Sequence, residues 1–213
     1  MSVQTIFRVL SNRMQTQNFW IYGFSLVAAY LIGSIPVGYL IAKARGIDIR
    51  TVGSGNVGGT NIRRNLGFLW GALVGILDLI KGLVPAFLAR MVFPLPWQAL
   101  SISLAPIIGH IWPAFLGFKG GKGVATTFGI ILAWLGPLFF IGWLVVWYLA
   151  VKFQKLMSLI NLIMALTLPL FFWVFFHSVW HAVFGGLLCI LIWWSHRSNI
   201  KRLVAGNETL THY

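Results

Sequence analysis

The sequence predicts an all-α fold, a polytopic membrane helix bundle of about seven transmembrane helices with its amino terminus outside and its carboxyl terminus in the cytoplasm. Three observations predict it. Of 213 residues, 59% are hydrophobic and only 9% charged, where a soluble domain carries about a quarter charged residues; the mean hydropathy is +0.86. Apolar runs of helix-spanning length cover 19–41, 67–90, 97–115, 124–151, 157–176 and 178–195. The basic residues fall in the short loops between these runs.

Residues 1–18 form a mixed polar extension with Arg8 and Arg13. It resembles the start of a signal peptide, but the apolar run after it is too long, so 19–41 is expected to remain as a first span. The fourth run decides the topology. As one helix, 124–151 would measure about 42 Å, against a hydrocarbon core of about 30 Å. Gly136-Pro137 divides it, and proline there removes a helical hydrogen bond. If the chain turns back at that point, Lys43, Arg45, Arg50, Arg63, Arg64, Lys119, Lys122, Lys152, Lys155, Arg197, Lys201 and Arg202 all face one side, twelve of the sixteen basic residues. By the positive-inside rule that side is the cytoplasm. The arms of such a hairpin are short, about 21 Å each, so two full crossings and a shallow hairpin both remain open. One transmembrane domain is expected over 19–208, with a tail at 209–213.

The formal charge of +13 rests on three acids, Asp48, Asp78 and Glu208. Anionic partners follow, either lipid head groups or phosphorylated substrates. Nucleic acid is not expected, because the charges lie between apolar runs and not on one soluble face. The lone Cys189 permits neither a disulfide framework nor a zinc spacing.

Two glycine-rich basic segments carry the chemistry, 53–64 (GSGNVGGTNIRR) and 117–123 (GFKGGKG). Glycine lets backbone N–H groups approach an anion, and the flanking cations supply charge. Ser54, Asn56, Thr60, Asn61 and Arg64 add hydroxyl, amide and guanidinium donors. Each segment also reads as a flexible basic connector, Arg64 as a topological anchor, and Lys119 and Lys122 as snorkelling side chains. Neither segment binds nucleotide by its pattern. Gly53, Gly55 and Gly58 spell a G-x-G-x-x-G with no strand before it, and Gly123 stands where a Walker A sequence needs Ser or Thr.

Asp78 and Lys81, at i and i+3 inside the second span, read as a self-neutralising structural pair, with a role beneath the site as the alternative. None of the histidines is followed at the fifth position by an acid, so the H-x-x-x-x-D signature of many coenzyme A-dependent acyltransferases is missing. His177 and His181 read as a chance surface pair. His110 and His196 read as helix-end or site residues.

Four ordered motifs carry a resemblance over about residues 30–208: Leu31-Ile32-Gly33-Ser34-Ile35-Pro36-Val37-Gly38-Tyr39; the 53–64 segment; Gly109-His110-Ile111-Trp112-Pro113 with Phe118-Lys119-Gly120-Gly121-Lys122-Gly123-Val124-Ala125-Thr126; and His196-Arg197-Ser198-Asn199-Ile200. The chain resembles the acyl-phosphate-dependent glycerol-3-phosphate acyltransferases of bacterial membranes, and Asp78-Leu79-Ile80-Lys81-Gly82 is also similar to that family. The resemblance implies seven transmembrane helices and transfer of a fatty acyl group from acyl phosphate to the 1-hydroxyl of sn-glycerol 3-phosphate. Lysophosphatidic acid and inorganic phosphate would be the products, formed on the cytoplasmic side of the bacterial inner membrane. No cofactor or metal is implied, because acyl phosphate is an already activated mixed anhydride. The expected partners are the two substrates and membrane lipids, with functional coupling to the enzyme that makes acyl phosphate and a monomeric state.

Residue by residue, the resemblance carries the catalytic set onto Ser54, Arg64, Lys122, Ser158, His196 and Asn199. Lys122 and Arg64 would hold phosphates, Ser54, Ser158 and Asn199 would orient them, and His196 would position the glycerol phosphate. Gly53, Gly55, Asn56, Thr60, Asn61, Lys119, Gly120, Gly121 and Arg197 complete the expected substrate-binding set. Gly59 stands where the family often has Ala, and 153–159 around Ser158 is a looser match. The rival reading is an anion or lipid-phosphate transporter, which would want polar residues along a path through the spans; these spans offer few.

Overall fold

The computed structural model describes residues 3–210, with side chains from residue 19 onward. The expected tail therefore lies partly outside the described residues, at 211–213. All regular structure described is helical: α1 Val3–Ser34, α2 Val37–Ala44, α3 Gly59–Leu66, α4 Phe68–Val92, α5 Pro96–Ile111, α6 Val124–Gln154, α7 Met157–Phe176, α8 Val179–Ser195 and α9 Arg197–Val204. The polar stretch before residue 19 runs as helix into the first span.

Five stretches, Phe19–Ala44 (α1 with α2), α4, Pro96–Leu116 (α5 and the turn after it), α6 and α7, are long and apolar enough to cross a membrane; α8 with α9, bent by 63°, makes a sixth. Their outer faces fit that reading. Phe24, Leu138, Leu170 and Ile190 are between 61% and 87% exposed, an apolar surface that water would penalise heavily and lipid does not.

α6 is a hairpin. Gly136 sits at φ 83°, ψ 170°, outside helical geometry, in a region that only glycine enters freely. Its two arms, 124–135 and 137–154, lie side by side, since the Phe128 ring is 5.4 Å from that of Trp147 and 5.5 Å from that of Trp143. On a straight helix residues 128 and 147 would stand about 28 Å apart. The division expected at Gly136-Pro137 is thus observed. The second arm runs antiparallel to α7, with Phe139 against Phe171 and Phe175 and Trp147 Nε1 donating to Asn161 Oδ1 at 2.8 Å.

α4 and the first arm of α6 cross at closest approach through glycine. A Cβ on Gly82 would collide with the Thr126 carbonyl, and one on Gly129 with the Leu79 carbonyl, the small-residue contact by which membrane helices gain packing. From that crossing α4 continues about 20 Å toward its own start. The loop leading into α6 therefore sits sunk beside the middle of α4. At the far end Arg90 caps the first arm, its Nη1 donating to Ala133 O at 2.9 Å and Trp134 O at 3.2 Å. A cation here satisfies the carbonyls orphaned by the turn.

One expectation is corrected at this far end. His181 is buried, stacked on Phe176 with ring centroids 4.1 Å apart and edge-on to Trp134 at 5.4 Å. It packs in an aromatic cluster and does not form a surface pair with His177, which ends α7. On helices apolar all round, the sequence does not mark which side faces the bundle.

Candidate active site

The loops at 45–58 and 112–123, the start of α7, and the α8–α9 bend with the segment after it meet at one end of the bundle. Thr60 Oγ1 donates to Met157 Sδ at 3.2 Å, Ser195 Oγ to the Lys122 carbonyl at 2.9 Å, and Ser158 Oγ to Glu208 Oε1 at 3.0 Å. These bonds tie together the basic loops that the charge pattern assigned to one side.

The first loop is shaped by Asn61, which is buried on α3. Its Oδ1 accepts the Ser54 N–H at 3.0 Å, while Nδ2 donates to the carbonyls of Ile49, Val52 and Asn56 at 3.2, 3.1 and 2.9 Å. Asn56 Oδ1 accepts from the Gly58 N–H at 2.9 Å, closing a local turn. Arg64 lies exposed in the last turn of α3, where the helix dipole favours a cation; its Nη2 donates to Leu210 O at 3.4 Å.

The second loop doubles back over the end of α5. The Gly121 N–H donates to His110 O at 3.0 Å and the Gly120 N–H to Ile111 O at 3.1 Å. Beneath it is a buried ionic cluster. Lys81 Nζ is 2.8 Å from Asp78 Oδ1 and donates to Ile35 O at 3.0 Å, and His110 Nδ1 is 3.7 Å from Asp78 Oδ1. Ile35 O lies at the Pro36 break between α1 and α2, where it also accepts from the Val37 N–H at 3.0 Å. Asp78 and Lys81 are therefore the self-neutralising pair expected, and they brace three helices under the loop.

Glu208, absent from the expected site residues, bonds three of the side chains gathered here. Its side chain is 8% exposed. Oε1 accepts from Ser158 Oγ at 3.0 Å and from Asn199 Nδ2 at 2.6 Å, and Oε2 from Arg202 Nε at 2.8 Å. Burial pushes its carboxyl up, but the hydrogen bonds from Asn199, Arg202 and Ser158 outweigh this and hold it below the usual range. Lys122 is lowered to about 8, first by burial and then by the charges of Arg202 and Arg64, with Glu208 opposing. His196 is fully buried, its Nδ1 2.8 Å from Ile192 O.

Ser158 and Asn199 thus bond one carboxylate whose charge also acts on Lys122 and His196, and Arg64 joins the group through its charge on Lys122. Ser54 is exposed on the rim and its hydroxyl bonds to none of them. Lys119 is exposed as well, and Arg197 lies over the Trp194 ring at 5.4 Å while donating to Trp194 O at 3.2 Å. Arg202 and Glu208 entered the sequence reading only as charges. A lone acid in a basic terminal segment was the available signal, but its partners stand at spacings that no local pattern encodes.

Fold and site define an integral membrane protein that pools cations and hydrogen-bonding groups at one end of an apolar helix bundle, a site suited to phosphorylated ligands. The chain matches the family described as glycerol-3-phosphate acyltransferase over residues 23–206. Among proteins of that name, one from Aquifex aeolicus is 40% identical over 186 residues, 87% of this chain and 96% of its own. Another from Trichlorobacter lovleyi is 43% identical over 192 residues, 90% of this chain and 95% of its own. The fold is similar to the crystal structure of PlsY (YgiH), an integral membrane glycerol 3-phosphate acyltransferase, in its glycerol 3-phosphate form. The TM-score is 0.84 at 39% identity, over 90% of this chain and 96% of that one. The lysophosphatidic acid form gives 0.82 at 38%, over 89% and 94%. This chain belongs to the glycerol-3-phosphate acyltransferase family.

Proposed function

We propose that the protein transfers a fatty acyl group from acyl phosphate to the 1-hydroxyl of sn-glycerol 3-phosphate, releasing lysophosphatidic acid and inorganic phosphate. The observation that carries this reading is the meeting of Arg64, Lys122, Ser158, His196 and Asn199, drawn from four separated segments, at one end of the bundle. Family membership supplies the acyltransferase class, and the absence of the H-x-x-x-x-D pattern fits a donor other than acyl-CoA.

Two phosphorylated anions must meet at a low-dielectric boundary, where their repulsion is stronger than in water. Lys122 and Arg64 neutralise and hold the phosphates, while Ser54, Ser158 and Asn199 orient the substrates and His196 positions the glycerol phosphate. The glycerol oxygen attacks the acyl carbonyl carbon, the bond from that carbon to the phosphate oxygen breaks, and the hydroxyl proton passes to a phosphate oxygen of the leaving group. The chain's own work is proximity and charge stabilisation. Gly53, Gly55, Gly120 and Gly121 let the two loops fold closely against Asn61, Arg50 and His110 and so shape the substrate site, and Asn56, Thr60, Asn61, Lys119 and Arg197 support the rim. By the positive-inside rule the site faces the cytoplasm of a bacterial cell, next to the source of acyl phosphate, and the chain acts as a monomer.

Phosphate release by the purified protein from acyl phosphate, with and without glycerol 3-phosphate, tests the reading. Release that depends on the acceptor is expected. Release that ignores it, or efficient use of acyl-CoA, would contradict the assignment.

A further inference from the structure

We propose that Glu208 is a specificity-determining positioning residue: it turns Ser158 and Asn199 into hydrogen-bond acceptors and so dedicates their part of the site to the hydroxyl groups of the acceptor. The inference rests on the glycerol phosphate reading above and adds to it a residue and a division of labour.

The polarity follows from the bonds. Glu208 receives donors at both oxygens, two at Oε1 and one at Oε2, the arrangement that suits an ionised, acceptor-only carboxylate. Ser158 has a single O–H and spends it on Glu208, which leaves only lone pairs on its Oγ. A carboxylate cannot donate, so the nitrogen of the Asn199 amide must face it. The Asn199 Oδ1 then points elsewhere; it is buried and has no hydrogen-bond partner. His196 adds a third acceptor. Its Nδ1 stands 2.8 Å from the Ile192 carbonyl, which can only accept, so in the neutral ring Nδ1 carries the hydrogen. Nε2 keeps its lone pair, buried and without a partner. Asn199 and His196 are 3% and 0% exposed.

A buried acceptor left without a donor is costly and is rare unless a ligand or water completes it. Phosphate oxygens cannot complete these three, because they too are acceptors. Hydroxyl groups can. The glycerol portion of the acceptor offers two, while Lys122 and Arg64, which have no acceptor atoms on their charged groups, take the phosphates. Without the Glu208 charge, Ser158 and Asn199 could each rotate a donor toward the ligand, and the site would lose its preference.

The test compares glycerol 3-phosphate with 3-hydroxypropyl phosphate, which keeps the reacting hydroxyl and the phosphate but lacks the middle hydroxyl. The donor is acyl phosphate, and wild-type and Glu208→Gln protein are assayed in detergent, with inorganic phosphate as a competing anion. Wild-type protein should favour glycerol 3-phosphate in kcat/KM by about 10²-fold or more, as expected for a site built around a buried polar contact. Glu208→Gln should cut that ratio at least about tenfold, mainly through KM for glycerol 3-phosphate, and leave inhibition by phosphate within about threefold.

An equal loss for both acceptors would make Glu208 merely structural and overturn the proposal. A fall in KM together with tighter phosphate inhibition would make it an internal competing anion, which also overturns it. If Glu208→Gln does not fold, Glu208→Asp carries the test: its shorter side chain cannot reach Ser158 and Asn199 together, so an unchanged ratio again overturns the proposal. Wild-type protein that fails to acylate either acceptor would instead sink the proposed function.

Discussion

Lys122 reaches its site with a pKa near 8 because burial disfavours its charge. The direction sets a pH dependence. The ammonium is present below about 8 and lost above it, and only the ammonium can hold a phosphate. In subsaturating substrate, kcat/KM should therefore fall as pH rises through about 8, and Lys122→Arg should push that limb beyond the measurable range while lowering the plateau, because a planar fork replaces a point charge. Lys122→Ala should lose about 10²–10³-fold at pH 7, the scale of removing one charge-stabilising donor. A limb that stays put in Lys122→Arg would assign the titration elsewhere. Asn61 makes a second residue-scale case. Its amide donates to three carbonyls, so Asn61→Asp should destabilise the loop more than Asn61→Ala, whose loss is about 1–3 kcal/mol. Thermal melting in detergent would rank the two, and the reverse order would deny that the donors hold the loop.

The elements show how much of this architecture is legible in the chain. The six apolar runs lie mostly in helices, with the first broken at Ile35-Pro36 and the third at Trp112-Pro113, and Gly136-Pro137 marks the turn of α6 because those two residues suit a tight reversal. Gly136→Ala should cost about 1–3 kcal/mol, the strain of a side chain at that φ and ψ, and should lower the melting temperature. A neutral substitution would mean that the hairpin turns elsewhere. The candidate site was legible where its residues sit in contiguous glycine-rich motifs, as with Arg64 and Lys122. It was illegible where partners come from distant segments. Glu208 meets Ser158 across fifty positions, and the buried face of His181 depends on which side of α8 meets Trp134. Both are settled by tertiary packing, which leaves no periodic trace in so apolar a helix.

For the whole molecule, the directions of the helices form one consistent set. α1 with α5 and α4 with the first arm of α6 run parallel, while the second arm with α7 and α7 with α8 run antiparallel. Threaded through a bilayer in that order, the chain would cross about seven times, with α6 counted twice, and every basic loop would return to the same face. Single cysteines in a Cys189→Ala background test this in intact spheroplasts with a membrane-impermeant maleimide. Pro94→Cys, Pro137→Cys and His177→Cys should react from outside; Thr51→Cys, Phe118→Cys and Phe153→Cys should react only after permeabilisation. All six positions are exposed, so a missing signal reports the side of the membrane and not burial in the fold. Pro137 and Phe153 decide the most, because a single crossing by α6 and a hairpin predict opposite relations between them and the flanking loops. Labelling of Phe153→Cys from outside would strand Lys152 and Lys155 on the wrong face and separate Ser158 from Lys122, which would remove the physical basis of the proposed site.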